Sequence, residues 1–133
     1  MTLNIGKHNG KRFAFPLDAV TQTFAILGKR GSGKSSTAKR IAEQMHHAGL
    51  QWVAVDPKGD WHGIRSSADG KKPGLPVPVF GGIHGDLPLV ATAGAVMAEL
   101  IVEHGISCVL DVSDFPSKAD QVRFLTDFGT ALF

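Results

Sequence analysis

The stretch GKRGSGKS at residues 28–35 matches the pattern G-x-x-x-x-G-K-[ST] of the phosphate-binding P-loop in full. Residues 23–27 before it are apolar and bounded by a polar run and a glycine, which predicts a buried strand. Residues 36–48 after it repeat apolar side chains on one face of a helix. A strand, a glycine-rich loop and a helix in this order are the context that would confirm a P-loop, so the stretch predicts a nucleotide site.

Each residue type in this loop has a chemical reason. Gly28, Gly31 and Gly33 let the backbone turn tightly and bring its N–H groups to an anion, and the helix N-terminus adds a partial positive charge. Lys34 supplies a charge for the β- and γ-phosphates, and Ser35 offers a hydroxyl to Mg²⁺. ATP is therefore predicted to bind to the loop and the first turn of the helix, through Gly28, Lys29, Arg30, Gly31, Ser32, Gly33, Lys34, Ser35 and Ser36.

Composition restricts the class of protein. A length of 133 residues fits one domain with a real core, and a net charge of +2 gives no global basic footprint for nucleic acid. The single cysteine, Cys108, excludes an internal disulfide and fits a reducing compartment, so a cytoplasmic location is expected. The most apolar segment, residues 87–102, is interrupted by Pro88, Thr92 and Glu99, so no membrane-spanning segment is predicted.

The N-terminus predicts a small β-ribbon. Residues 3–6 and 12–15 flank Asn9-Gly10, which is a strong hairpin turn signal. We expect two parts in the chain: an N-terminal ribbon over residues 1–16 and a partial P-loop domain over residues 17–133.

A second strand is predicted over residues 51–55, followed by Asp56-Pro57-Lys58-Gly59-Asp60-Trp61. A carboxylate at the carboxyl end of a parallel strand points into the ligand crevice, and the turn at Pro57 and Gly59 aims Asp60 back toward the same edge. The alternative is a surface turn whose acids only cap the chain reversal. On chemistry alone, both interpretations stay open.

A third strand over residues 107–111 ends in Asp111. Downstream of a full P-loop, an apolar strand that ends in aspartate is the pattern that holds Mg²⁺ opposite the P-loop hydroxyl. The next residue is Val112 instead of a glutamate, so the carboxylate that commonly activates water is absent from its usual place. The candidates for that role are Asp60, Ser113 and Asp114.

The remaining elements are predicted from local patterns. Residues 77–80 form a short strand, which Pro78 places at an edge of the sheet. Helices are expected over residues 92–104 and 118–132, the latter capped by Asp114 or Ser117. Residues 62–76 have little to bury and predict a loop. The glycine-rich turn at residues 81–86 lacks the Lys-Ser/Thr ending, so it is not interpreted as a second phosphate loop.

Three segments together, residues 28–35, 55–61 and 109–113, resemble the HerA/FtsK superfamily of P-loop ATPases, most closely its HerA-like branch. The D-P-x-G-[DE]-aromatic pattern at Asp56–Trp61 is the most specific piece. The resemblance extends from about Leu17 onward. It implies an α/β fold of the RecA-like type, with a mostly parallel sheet and flanking helices. It also implies a hexameric ring that hydrolyses ATP to translocate DNA, as helicases do, or to remodel a partner.

Two departures from the family pattern matter. Without a glutamate after Asp111, Asp60 inherits the water-positioning role by position. The later elements of the family, including a strand between the P-loop strand and the Asp111 strand, are missing. We therefore expect the chain to be the N-terminal part of a longer ATPase core, with an incomplete sheet and little ATP hydrolysis on its own.

The sequence predicts the ATP-binding and ATP-hydrolysing core of a motor ATPase. Lys34, Asp60 and Asp111 are the predicted catalytic residues, and Ser35 and Asp111 the predicted Mg²⁺ ligands. One alternative is a small-molecule kinase, which would need an arginine-rich lid, whereas residues 62–76 offer only Arg65, Lys71 and Lys72. Another is a regulatory module that binds ATP without turnover.

Overall fold

A computed structural model describes all residues from 1 to 133, which form two compact units. The N-terminal unit, Met1–Leu50, contains strands β1 (Thr2–His8) and β2 (Lys11–Pro16), a 3-10 helix over Leu17–Thr21, and helix α1 (Lys34–His47). The C-terminal unit, Gln51–Phe133, contains β3 (Val53–Asp56), a 3-10 helix over Trp61–Arg65, β4 (Val79–Phe80), α2 (Gly94–His104), β5 (Cys108–Asp111) and α3 (Lys118–Leu132). The division of the chain at residue 16 stays a prediction.

The predicted N-terminal ribbon is confirmed. Strands β1 and β2 pair antiparallel from Thr2 opposite Pro16 to His8 opposite Lys11. The turn between them has φ of 49° at Asn9 and 75° at Gly10, a left-handed pair that asparagine and glycine adopt most readily. Within the same unit, helix α1 joins β1 through a hydrogen bond from the Asn4 N–H to Gln44 Oε1 (3.1 Å).

The predicted strand over residues 23–27 is wrong. These residues form no regular secondary structure, and all five are exposed, with Phe24 at 53% and Leu27 at 88% of full exposure. An extended segment becomes a strand only when a neighbouring strand accepts and donates its backbone hydrogen bonds. No strand in the structure pairs with residues 23–27. The apolar composition of residues 23–27 favours burial, but a strand also needs a neighbouring strand, which composition does not indicate.

The other predicted strands form one parallel sheet in the C-terminal unit. The strand order is β3-β5-β4, so β4 lies at an edge, as Pro78 predicts. In the register of β3 with β5, Asp56 is the partner of Asp111. Because the strands are parallel, both aspartates lie at the carboxyl edge of this sheet and on the same face.

Helices α2 and α3 pack on the opposite face and enclose the core of the C-terminal unit. Gly94 allows their close approach, because a methyl group there would overlap the Phe124 carbonyl oxygen. The predicted bounds of α3 are confirmed. Its N-cap is Ser117, whose Oγ accepts a hydrogen bond from the Asp120 N–H (3.1 Å). Helix α2 begins two residues later than predicted. The buried core cluster consists of Ala98, Ile101, Cys108, Leu110, Val112, Phe124 and Phe128.

Residues 62–76 bury more than the sequence predicts, since Ile64 and Leu75 are 3% and 6% exposed. Neither α1, α2 nor α3 combines the length and the hydropathy that crossing a lipid bilayer requires.

Candidate functional site

The P-loop of the N-terminal unit forms a tight turn that leads directly into α1. Gly31 and Gly33 have φ of 78° and 91°, and Gly33 is the residue that precedes the helix. A methyl group at Gly28 would overlap Ser32 Oγ, so the Ser32 side chain would have to move. Gly31 and Gly33 are therefore required by the backbone path, as the sequence predicts.

The ammonium group of Lys34 lies across this loop. Its Nζ donates hydrogen bonds to the carbonyl oxygens of Gly28 and Lys29, both at 2.8 Å. The first amides of a helix have no acceptor within the helix, and Ser35 and Ser36 in this first turn are exposed. The loop thus gathers a fixed cation, backbone N–H donors and two hydroxyls at one helix N-terminus, which is a favourable environment for phosphate. All nine predicted nucleotide-binding residues lie in this loop and turn.

Asp56, at the end of β3, shapes the turn that follows it. Only 2% of the residue is exposed. Its Oδ1 accepts hydrogen bonds from the N–H groups of Lys58 (3.1 Å) and Gly59 (2.9 Å), and its Oδ2 accepts one from the Trp61 N–H (2.7 Å). Of the two interpretations left open by the sequence, the structure therefore assigns Asp56 to the chain reversal, while the neighbouring Asp60 is exposed.

Replacing this acceptor should destabilise the C-terminal unit. We expect Asp56→Ala to lower the free energy of unfolding of this unit by about 2–3 kcal/mol, because three amides lose their common acceptor, which is itself buried. Urea denaturation followed by tryptophan fluorescence measures the change, since both tryptophans, Trp52 and Trp61, belong to this unit.

The matched control is Asp69→Ala. Asp69 also accepts hydrogen bonds, from Ser67 Oγ (2.5 Å) and the Lys71 N–H (3.1 Å), but in an exposed loop. Its effect should be much smaller, and equal effects of the two variants would contradict the assigned role of Asp56.

Asp111, at the end of β5, is 1% exposed and lies between the Asp56–Trp61 turn and the turn at residues 81–86, which is the second glycine-rich turn of the chain after the P-loop. Its Oδ1 accepts a hydrogen bond from the Ser113 N–H (2.9 Å). A methyl group at Gly59 would lie 3.4 Å from Oδ2, and one at Gly82 would overlap it. Both glycines have positive φ, 79° and 68°. The carboxylate is thus enclosed from two sides by backbone without side chains.

The second glycine-rich turn is held by contacts that the sequence did not reveal. Arg65 Nη1 donates to both carboxylate oxygens of Asp86 (2.7 and 2.8 Å), and Arg65 Nη2 donates to the His84 carbonyl oxygen (3.0 Å). The Val79 N–H donates to Asp86 Oδ2 (2.8 Å). This hydrogen bond, and next the contact with Arg65, lowers the pKa of the Asp86 carboxyl.

Aromatic stacking links the Asp56–Trp61 turn and its following 3-10 helix to the second glycine-rich turn. The rings of His62 and His84 stack with centroids 3.8 Å apart, and His62 Nδ1 lies 3.0 Å from the Gly59 carbonyl oxygen. The only local signal of this arrangement in the sequence is the pair Gly81-Gly82, to which the sequence alone assigns no functional site. Its relation to Asp111 arises from the pairing of β4 with β5, which residue spacing does not reveal.

The residues around Asp111 fit one part of a Mg²⁺ site. No group of three or more His, Cys, Asp or Glu side chains could hold a metal ion alone. Mg²⁺ is commonly bound through one or two carboxylates together with substrate phosphates and water, so a single enclosed carboxylate next to the Ser113 hydroxyl is the expected donor set. When bound, Mg²⁺ would neutralise charge on the β- and γ-phosphates.

The predicted site residues fall into two sets. Lys34 and Ser35 belong to the N-terminal unit, and Asp60 and Asp111 to the C-terminal unit. Within the second set, Gly59 brings the turn that carries Asp60 next to Asp111 and Ser113. Val112, at the position where a glutamate was missing, is fully buried in the core cluster, so a side chain there would not reach the carboxyl edge of the sheet.

No curated protein and no solved structure matches this chain. The family described as "Helicase HerA, central domain" has a model that matches residues 3–84, which is more than half of the chain. The matched residues include the P-loop, the Asp56–Trp61 turn and the first four residues of the second glycine-rich turn. The chain therefore belongs to the HerA helicase central-domain family of P-loop ATPases.

Proposed function

We propose that this chain binds ATP with Mg²⁺ and forms the nucleotide-binding core of a HerA-like motor ATPase that acts on DNA. The observation that carries the proposal is a complete P-loop with its lysine across the loop, in a chain of the HerA central-domain family. The proposal includes a RecA-like arrangement and a hexameric ring of copies, which the family resemblance supports. It also includes a cytoplasmic location, which the single cysteine supports.

The proposed roles follow from the chemistry of each side chain. Lys34 and the loop amides bind the phosphates, and Ser35 and Asp111 hold Mg²⁺. Asp60 orients the attacking water. Asp60 takes this role by its position in the turn that Gly59 brings next to Asp111.

Binding of a nucleotide in the presence and absence of metal tests the proposal. We expect ATPγS to bind more tightly with Mg²⁺ than with EDTA in isothermal titration calorimetry. In Asp111→Asn, this Mg²⁺-dependent gain should fall by about tenfold, because an uncharged amide is a poorer ligand for a hard cation. The affinity measured in EDTA should stay unchanged, and an undiminished Mg²⁺ gain in the variant would refute the role of Asp111.

A sensitive assay of phosphate release from ATP distinguishes the ATPase from the two alternatives, because we expect release from the chain to be slow but above the background of Lys34→Ala. A non-hydrolysing module would bind ATP without release above the background of Lys34→Ala. A small-molecule kinase would need free cations in a lid over the acceptor. Arg65, one of the three cations in residues 62–76, is instead bound to Asp86, which disfavours the kinase.

A further inference from the structure

The carboxylate of Asp111 has one oxygen held by a hydrogen bond and the other confined by packing. Oδ1 accepts a hydrogen bond from the Ser113 N–H, which restricts the carboxylate on that side. Gly82 lies against Oδ2 so closely that a methyl group could not be added. A carboxylate that serves a metal must be held within about 0.5 Å of its productive position, which neighbouring groups usually ensure.

The second glycine-rich turn needs support from outside itself. Gly81 and Gly82 both have positive φ, and consecutive glycines lose much conformational entropy when they are fixed. Hydrogen bonds to β4 and its flank hold the turn: the Asp86 N–H donates to the Val79 carbonyl oxygen (2.7 Å), and the Gly81 N–H to that of Leu87 (2.8 Å). Arg65, from the 3-10 helix that follows the Asp56 turn, adds the contacts to Asp86 and His84.

We propose that the turn at residues 81–86 is a positioning element for the Asp111 carboxylate, in which Gly82 fixes Oδ2 and the Arg65–Asp86 ion pair fixes the turn. The inference rests on the proposed function, because it assigns Asp111 to Mg²⁺. It gives a role to a turn that has no phosphate-loop ending. Gly82, Asp86 and Arg65 act through Asp111 and are positioning residues.

A pair of glycine variants tests the contact at Oδ2. Gly82 and Gly70 have the same φ of 68°, but a methyl group at Gly70 would meet no atom within 4 Å. Gly82→Ala and Gly70→Ala therefore carry a similar backbone strain, and only the first displaces the carboxylate. Affinity for ATPγS is measured for the full chain with Mg²⁺ and with EDTA. We expect the Mg²⁺-dependent gain to fall about tenfold in Gly82→Ala and to stay within twofold of the wild type in Gly70→Ala.

A second pair of variants keeps the inference testable if Gly82→Ala does not fold. Asp86→Asn preserves the size of the side chain but removes its charge, which weakens the contact with Arg65. Asp69→Asn makes the same change at a carboxylate of the exposed loop. The Mg²⁺-dependent gain should fall about threefold in Asp86→Asn and not in Asp69→Asn, with the EDTA affinity unchanged in both.

The outcomes separate this inference from the function on which it rests. A Mg²⁺-dependent gain in the wild type that is lost in Asp111→Asn, but not in Gly82→Ala or Asp86→Asn, overturns the inference alone. If the wild type does not bind nucleotide, or if its binding depends on neither Lys34 nor Mg²⁺, the proposed function and the inference are overturned together. Equal losses in Gly82→Ala and Gly70→Ala show backbone strain instead of positioning and also overturn the inference.

Discussion

Lys34→Ala is expected to weaken the binding of ATP with Mg²⁺ by about 30- to 1000-fold, which corresponds to about 2–4 kcal/mol. The ammonium group is the one charged side chain that the loop itself fixes, through the carbonyl oxygens of Gly28 and Lys29. An alanine removes both the charge for the phosphates and these two contacts. Isothermal titration calorimetry with ATPγS measures the loss, and circular dichroism checks that the helices persist.

The matched control for this prediction is Lys71→Ala. Lys71 is an exposed lysine in the loop of the C-terminal unit, so the net charge changes equally in both variants. Its affinity for ATPγS should equal that of the wild type. An affinity of Lys34→Ala within twofold of the wild type would refute the assignment of the P-loop.

Phe124→Ala should lower the free energy of unfolding of the C-terminal unit by about 3–5 kcal/mol. The side chain is fully buried, and its ring contacts Phe115 edge-on (centroids 5.6 Å apart) and stacks with Phe128 (6.2 Å). Truncation leaves a cavity between α2, α3 and the sheet that these rigid neighbours cannot close. Urea denaturation monitored by tryptophan fluorescence gives the change.

Val122→Ala is the control on the same helix, since Val122 is 54% exposed. It changes the intrinsic helix propensity of α3 without opening a cavity, so its effect should be within about 0.5 kcal/mol. A destabilisation of similar size in both variants would show that α3 does not pack on the sheet as described.

Elements with local signals could be predicted from the sequence. The ribbon turn follows from Asn9-Gly10, because only a few residue types adopt its left-handed backbone. Helix α3 follows from a cap at Ser117 and an apolar period that ends at Leu132. The edge position of β4 follows from Pro78, which lacks the N–H that an inner strand would donate.

Features that depend on distant partners could not be predicted. Residues 23–27 were predicted as a strand from composition, but pairing decides whether such a segment is a strand. Asp111 is predicted to be a site residue from its place at the end of a strand, whereas the approach of Gly82 depends on the register of β4 with β5. The Arg65–Asp86 ion pair joins residues 21 positions apart, and no periodic pattern connects them.

The single thiol of the chain gives direct access to the kinetics of unfolding. Cys108 lies in the middle of the core cluster, and burial raises its pKa to about 12, so the reactive thiolate is almost absent in the native state. Alkylation therefore requires that the sheet and the two helices over it separate. When the alkylating reagent reacts faster than the unit recloses, the labelling rate equals the opening rate of the C-terminal unit. Mass measurements over time, with and without an added ligand, then report whether the ligand slows that opening, without any engineered probe.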